Sequence, residues 1–225
     1  MKVAVLQSNY LPWKGYFDII RQSDVFVFYD NVQFTKNDWR NRNQIKTPKG
    51  LEWITIPVGS KIHRLIEEVK IESSDWQKSH WGKIQANYKE AAHFKTHAPF
   101  FEEIFLKKKW QSLSEFNQWT IQTISKEILG IGKTRFLNAS DFDLQGARQD
   151  KLIMLLKKVG ATSYLSGPAG KNYIEPEKFK ENQIQLEYID YSKYPEYSQL
   201  YPPFVHGVSI LDLILNCGPD SAKSF

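Results

Sequence analysis

Short apolar runs of β type alternate with helix-patterned segments from one end of the chain to the other. That alternation restricts the fold more than any other feature of the sequence. Val3 to Gln7 (VAVLQ) and Val25 to Tyr29 (VFVFY) are apolar on both sides of the pleat, as strands are when both faces of a sheet are covered. Between them, Tyr16, Phe17, Ile19 and Ile20 in Trp13 to Gln22 follow a near-helical spacing. A strand, a helix and a second buried strand make a crossover unit, which pairs its strands in parallel.

The pattern continues along the 225 residues. Trp53 to Val58 (WITIPV) reads as a third strand, with Pro57 placing it at an edge. Asp75 to Phe94 reads as a helix, Pro99 to Leu129 as one or two more, and Gly130 and Gly132 end the helical region. A strand at Phe136 to Asn138, a helix at Lys151 to Val159 and a strand at Ser163 to Leu165 follow. After them come a short helix at Glu177 to Glu181, a strand at Ile184 to Tyr191 and a closing helix at Ser209 to Asn216. The expected fold is α/β: a mainly parallel, Rossmann-like sheet with helices on both faces. We expect a single domain over 1–225, with a helical insertion at about 72–132.

No run approaches the roughly 18 apolar residues of a membrane span, and MKVAVLQSNY has no secretory pattern. Cys217 is the one cysteine, so an intramolecular disulfide is excluded. Both features fit the cytoplasm. Cys217 lies in an apolar run without a neighbouring base and reads as buried filler rather than a nucleophile. The net charge of +5 is spread in short groups such as Lys107-Lys108-Lys109, the pattern of solvated helix faces rather than a polyanion stripe.

Ligands of open parallel sheets bind beyond the carboxyl ends of the strands, near the point where strand order reverses. Three segments qualify. The first, after the first strand, holds Gln7, Asn9, Tyr10, Trp13, Lys14, Gly15 and Tyr16; it combines polar groups with a helix start whose amides favour anions. The second begins at Asp30, Asn31 and Gln33 and runs to Lys46, a polar stretch read as a long functional loop or an irregular helix. It carries Lys36, Arg40, Arg42 and Lys46 beside Asp38, Trp39 and the amides of Asn37, Asn41, Asn43 and Gln44. Cationic forks suit phosphate or carboxylate, amides suit sugar hydroxyls, and an indole suits a ring face. The third segment, Ser166 and Gly167 to Tyr173, is glycine-bearing, but it matches neither the Walker nor the dinucleotide pattern.

The histidines give no metal signature: His93 and His97 are four apart but lack the accompanying glutamate or cysteine. No metal is expected. His80, in Ser-His-Trp, is the best candidate for a titrating side chain, although buried histidines are common. The sequence holds no Gly-x-Ser-x-Gly elbow.

The run QSNYLPWKGYFDIIRQSDVFVFYDNVQFTKNDWRNRNQIKTPKG closely resembles the opening of the bacterial WbqC-like family. SYLSGPAGKNY (163–173) and the ending from Tyr197 through Leu213 resemble its later blocks. The likeness spans nearly the whole chain. Members occur in gene sets for O-antigen and other surface polysaccharides, and some are named as glycine transferases acting on amino sugars. The resemblance therefore implies amide formation on an amino-sugar nucleotide, with glycine or an activated acyl donor as partner. ATP is a possible co-substrate, because a free carboxylate must first be activated.

A second similarity is to adenylate-forming nucleotidyltransferases, in which a His-x-Gly-His loop follows the first strand. Asn31-Val32-Gln33-Phe34 resembles the Asn-Pro-x-Gln-Phe stretch of pantothenate synthetases. Trp13 and Tyr16 stand where both histidines would be, so Lys14, Lys36, Arg40 or Arg42 would have to supply the charge. On this reading Gln7, Asn9 and Gln33 orient polar groups, Lys36, Arg40 and Arg42 hold an anion, and Trp13 and Trp39 stack. Asp30, Asp38 and His80 are the candidate proton carriers. The alternatives are a non-catalytic nucleotide-sugar or glycan-binding protein and, last, a nucleic-acid binder using the basic loop. The acid and tryptophan among the cations fit a pocket better than a phosphate stripe, so no nucleic-acid partner is expected.

Overall fold

A computed structural model describes residues 1–61 and 63–225. Five strands form one parallel sheet: β1 (Lys2–Leu6), β2 (Val25–Phe28), β5 (Arg135–Asn138), β6 (Ser163–Ser166) and β7 (Gln185–Tyr188). Their order is β5-β2-β1-β6-β7, and every neighbouring pair is parallel. The chain moves outward from β1 on one side and then returns to build β6 and β7 on the other. Strand order therefore reverses between β1 and β6.

Side-chain alternation sends Val3, Val5, Val25 and Val27 to one face of the sheet. There they pack with residues of α5 (Arg148–Lys158) and α6 (Pro176–Glu181), notably Leu155, Leu156 and Phe179. Ala4, Phe26 and Phe28 face the other way, into a larger core with Phe17 and Ile20 of α1 (Lys14–Arg21). The Val-Phe-Val-Phe order of β2 thus gives each face its own residue size. Helices on both faces make the fold α/β and Rossmann-like, as expected.

Between β2 and β5 lie α2 (Asp75–Tyr88), α3 (Phe94–Glu102) and α4 (Leu113–Thr123). Wide helical turns extend α3 over Glu103–Lys107 and α4 over Ile124–Ile128. Their aromatic residues Trp76, Trp81, Phe101, Phe105 and Phe116 belong to the larger core. The apolar α7 (Ile210–Cys217) closes the same core; Ser209 caps its start, its Oγ accepting from the Leu211 amide.

Two local expectations are corrected. Arg42–Thr47, read as loop or irregular helix, is strand β3, paired antiparallel with β4 (Gly50–Thr55). The run WITIPV accordingly joins a separate hairpin rather than the parallel sheet. The polar composition of β3 hid its burial: Asn43 and Lys46 are buried along with Ile45 because their polar groups find partners inside. Gly50, at φ +107°, supplies the turn conformation the hairpin needs.

Candidate functional site at the carboxyl ends of the strands

The turn after β1 is held from three sides. Asp30, at the end of β2, accepts the Ser8 amide at 2.8 Å on Oδ1, while its Oδ2 accepts Ser114 Oγ at 2.5 Å and Gln118 Nε2 at 2.9 Å. The Tyr16 hydroxyl donates to the Gln7 carbonyl at 2.9 Å. Asn43 Nδ2 donates to the carbonyls of Tyr10 and Leu11, the Tyr10 amide donates to the Trp39 carbonyl, and Ser209 Oγ donates to Leu11. Leu11 has φ +41°, a left-handed conformation uncommon outside glycine, and these bonds hold it there.

This frame encloses a cavity of about 250 Å³ lined by Asn9, Pro12, Trp13, Trp39, Asn43 and Gly207. Asn9 Oδ1 is buried with no hydrogen-bond partner, a position that calls for a donor from a ligand or solvent. The Trp13 indole folds back over Gly15, where a Cβ would lie 2.3 Å from its ring. Gly15 therefore allows that fold-back, and the indole covers the helix start that the sequence suggested for anions. Trp13 also meets Tyr191 edge to face at 4.8 Å, and Tyr191 reaches the third segment at Gly167.

The structure brings Asn9, Trp13 and Trp39 to one cavity and uses Tyr10 as its buried support. The cations are placed otherwise. Lys14 is buried, donates at 3.0 Å to the carbonyls of Pro195 and Ser224, and lies near the rings of Tyr194 and Tyr197; burial lowers its pKa. Arg40 pairs with Asp38 at 2.5 Å, and the Arg42 guanidinium lies 4.2 Å from the centre of the Trp53 ring. Lys36 is exposed and does not line the cavity. Asn41 Nδ2 donates to the Ile56 carbonyl; the Asn31 carbonyl accepts Lys151 at 3.4 Å, while Asn31 Oδ1 is buried without a partner. Gln33 borders a separate shallow dent with Arg64 and Glu68. Ser166 is buried, its Oγ donating to the Gly167 carbonyl, and Gln7 and Tyr173 line a second cavity on the sheet.

His80 lies inside the aromatic core on α2, against Tyr10, Trp76 and Phe105. Burial and the nearby Lys83 charge lower its pKa from 6.5 to about 4, opposed by a hydrogen bond with the Thr55 backbone. Burial also raises the Tyr10 pKa, so its hydroxyl keeps its proton, and it is hydrogen-bonded to His80 Nδ1 at 2.7 Å. A base whose folded pKa is depressed stabilises the fold fully above its unfolded pKa and loses that contribution as pH falls toward the folded value. The shift corresponds to roughly 3 kcal/mol. Urea unfolding at pH 7 and pH 4.5 is expected to show most of that loss, and His80→Gln should flatten it. Equal pH sensitivity in the two proteins would refute the assignment.

A buried polar network was missed by sequence reasoning. Asp212 is fully buried and accepts the Tyr88 hydroxyl at 2.8 Å, the Tyr197 hydroxyl at 2.7 Å and Gln199 Nε2 at 2.7 Å. Burial raises its pKa, opposed by these donors and Lys46. Lys46 Nζ donates to Gln199 Oε1 and to the Pro203 carbonyl. The network fastens the 197–205 segment to β3, α2 and α7. Its one signal in the sequence was a lone acid within the apolar run Ile-Leu-Asp-Leu-Ile-Leu. Among the described residues, no three His, Cys, Asp or Glu side chains group as a metal site, and no helix is long and apolar enough to cross a membrane.

Comparison with known proteins bears on the family of the chain. An uncharacterized protein of Mycobacterium tuberculosis (strain ATCC 25618 / H37Rv), Rv1507c, is 43% identical over 222 residues, covering 98% of this chain and 95% of that relative. No solved structure matches. The model of the WbqC-like protein family matches residues 7–224, and the chain belongs to that family.

Proposed function

We propose that the protein is an enzyme of surface-polysaccharide (O-antigen) biosynthesis that works in the cytoplasm and forms an amide on the amino group of an amino-sugar nucleotide. Glycine is the proposed acyl group. The observation carrying this reading is a cavity faced by Trp13 and Trp39 and lined by the amide side chains of Asn9 and Asn43. Indole faces pack against the C–H face of a sugar, and a buried amide oxygen accepts from a hydroxyl or amine.

In the proposed step the sugar amine attacks the carbonyl carbon of an activated glycyl group. The C–N bond forms, the bond to phosphate oxygen or thioester sulfur breaks, and the leaving group departs with the electron pair. The proton lost by nitrogen passes to a base. Of the three acid-base candidates, Asp30 is buried with three donors and His80 is enclosed by aromatic rings. Asp38 is bound to the Trp39 amide and Arg40 as well, but it is partly exposed and next in the chain to Trp39, which lines the cavity; this supports it as the acceptor.

Incubation with ATP, glycine and an amino-sugar nucleotide should yield a product one glycyl residue heavier. Absence of that product, with both ATP and preactivated glycyl donors, would remove this reading. Trp39→Ala removes an indole that is 43% exposed, so folding should be unchanged while KM for the sugar substrate rises about 2- to 12-fold, as loss of a ring contact of roughly 0.5–1.5 kcal/mol implies. A second reading, a non-catalytic nucleotide-sugar or glycan-binding protein, is favoured by one observation: none of the six residues lining the cavity is ionisable. Tight calorimetric binding with every donor left intact would decide for it. Arg40 and Arg42 are each engaged within the fold, which supports a small-molecule partner over nucleic acid.

A further inference from the structure

The point where strand order reverses, between β1 and β6, carries a second and larger cavity of about 540 Å³. This is within the roughly 300–1,000 Å³ of small-molecule sites. It lies on the α5 side of the sheet, with Val5 of β1 and Leu152 of α5 among its apolar walls. Three tyrosines surround it. Tyr164 is buried with its ring stacked on Phe179 at 5.5 Å, Tyr29 is half-buried, and Tyr173 stands 72% exposed at the rim. That exposure is unusual for a large aromatic side chain and leaves its ring available to cover a planar group.

The lining holds one cation, Arg148, which is exposed and has no salt-bridge partner among the described residues. Beside the cavity, Lys151 Nζ lies 5.8 Å from the centre of the lining Tyr29 ring and donates to the Asn31 carbonyl. The one acid in the lining, Glu175, is 3.5 Å from Lys178. Its backbone is clamped from both sides by the Gln149 amide, which donates to its carbonyl at 2.9 Å and accepts from its N–H at 3.1 Å. The wall is thus fixed, and Arg148 is left without an acid partner at it.

We propose that this cavity binds a nucleoside phosphate, with the base among the tyrosines and the phosphates toward Arg148 and Lys151. The inference rests on the acyl-transfer reading only for the use made of the nucleotide. Two sources share this chemistry: ATP that activates the acyl group, and the nucleoside diphosphate half of the sugar substrate. The second is geometrically open because Gln7 lines this cavity and Asn9, two residues on, lines the sugar cavity.

The test is calorimetry on the full chain with ATP alone and, in separate arms, UDP, GDP and dTDP, with neither glycine nor amino sugar present. Binding is expected in at least one arm: ATP identifies an activating nucleotide, a diphosphate the sugar carrier. Tyr173→Ala, at a side chain outside the core, should weaken binding about tenfold, and Leu152→Trp should abolish it by filling the cavity. Arg148→Ala should reduce the salt dependence of the affinity, while Trp39→Ala should leave nucleotide binding unchanged. Absence of binding at millimolar nucleotide in every arm overturns the proposal, as does wild-type affinity in folded Tyr173→Ala. Nucleotide binding without glycyl transfer would remove the proposed reaction and leave this site standing. Transfer without such binding would do the reverse.

Discussion

Replacing Asp30 with alanine is expected to cost about 3–5 kcal/mol of stability, a large part of the roughly 5–15 kcal/mol that holds a typical domain together. The carboxylate joins the end of β2 to the turn after β1 and to α4 through Ser8, Ser114 and Gln118. Truncation leaves the buried Ser8 amide without an acceptor, and two further donors lose a charged partner. Asp30→Asn should be milder, about 1–2 kcal/mol, because it keeps an acceptor for Ser8 and the Ser114 hydroxyl can reverse its bond. Chemical denaturation of the three proteins measures this directly. An alanine variant as stable as the parent would show that the turn is not held by Asp30. A folded Asp30→Asn protein with abolished transfer would return Asp30 to the list of proton carriers.

For Asp38 the expectation is the opposite: Asp38→Asn should lower kcat at least about 100-fold, the usual effect of losing a general base, with little change in thermal midpoint. Its carboxylate accepts the Trp39 amide at 2.6 Å and pairs with Arg40 at 2.5 Å. Asparagine preserves the first bond, so the loop should stay in place, and a partly exposed ion pair contributes little to stability. The deficit should shrink as pH rises, because hydroxide can then take the proton that the attacking nitrogen loses. A structural role would give no such recovery. The kinetic signature also differs from that of Trp39→Ala, which acts on KM. An Asp38→Asn enzyme with parental kcat would leave proton removal to solvent or to the substrate itself.

Much of the architecture was legible because period-2 and period-3.6 patterns report how side chains are buried, and burial is what fixes strands and helices in a sheet covered on both faces. The Val-Phe alternation of β2 and the apolar α7 read correctly for that reason. The hairpin did not. Asn43 and Lys46 look like solvated loop residues until their partners are known, and those partners, the Tyr10 and Leu11 carbonyls, Gln199 and Pro203, lie far away in sequence. The same difficulty hid the cations. Lys14 and Arg42 looked free to bind an anion, but their charges face carbonyls and an indole within the fold.

By itself the sequence determined the sheet, the two helical layers and the family, since each depends on local pattern or on long runs of matching residues. Tertiary structure alone decided which polar side chains are left over for a ligand. Tyr173 keeps an exposed ring and Asn9 an acceptor without a partner, whereas Asp30, His80 and Asp212 are enclosed by partners up to 124 residues away. Whether a polar group is satisfied depends on what approaches it in space, and residue type and spacing along the chain do not encode that approach.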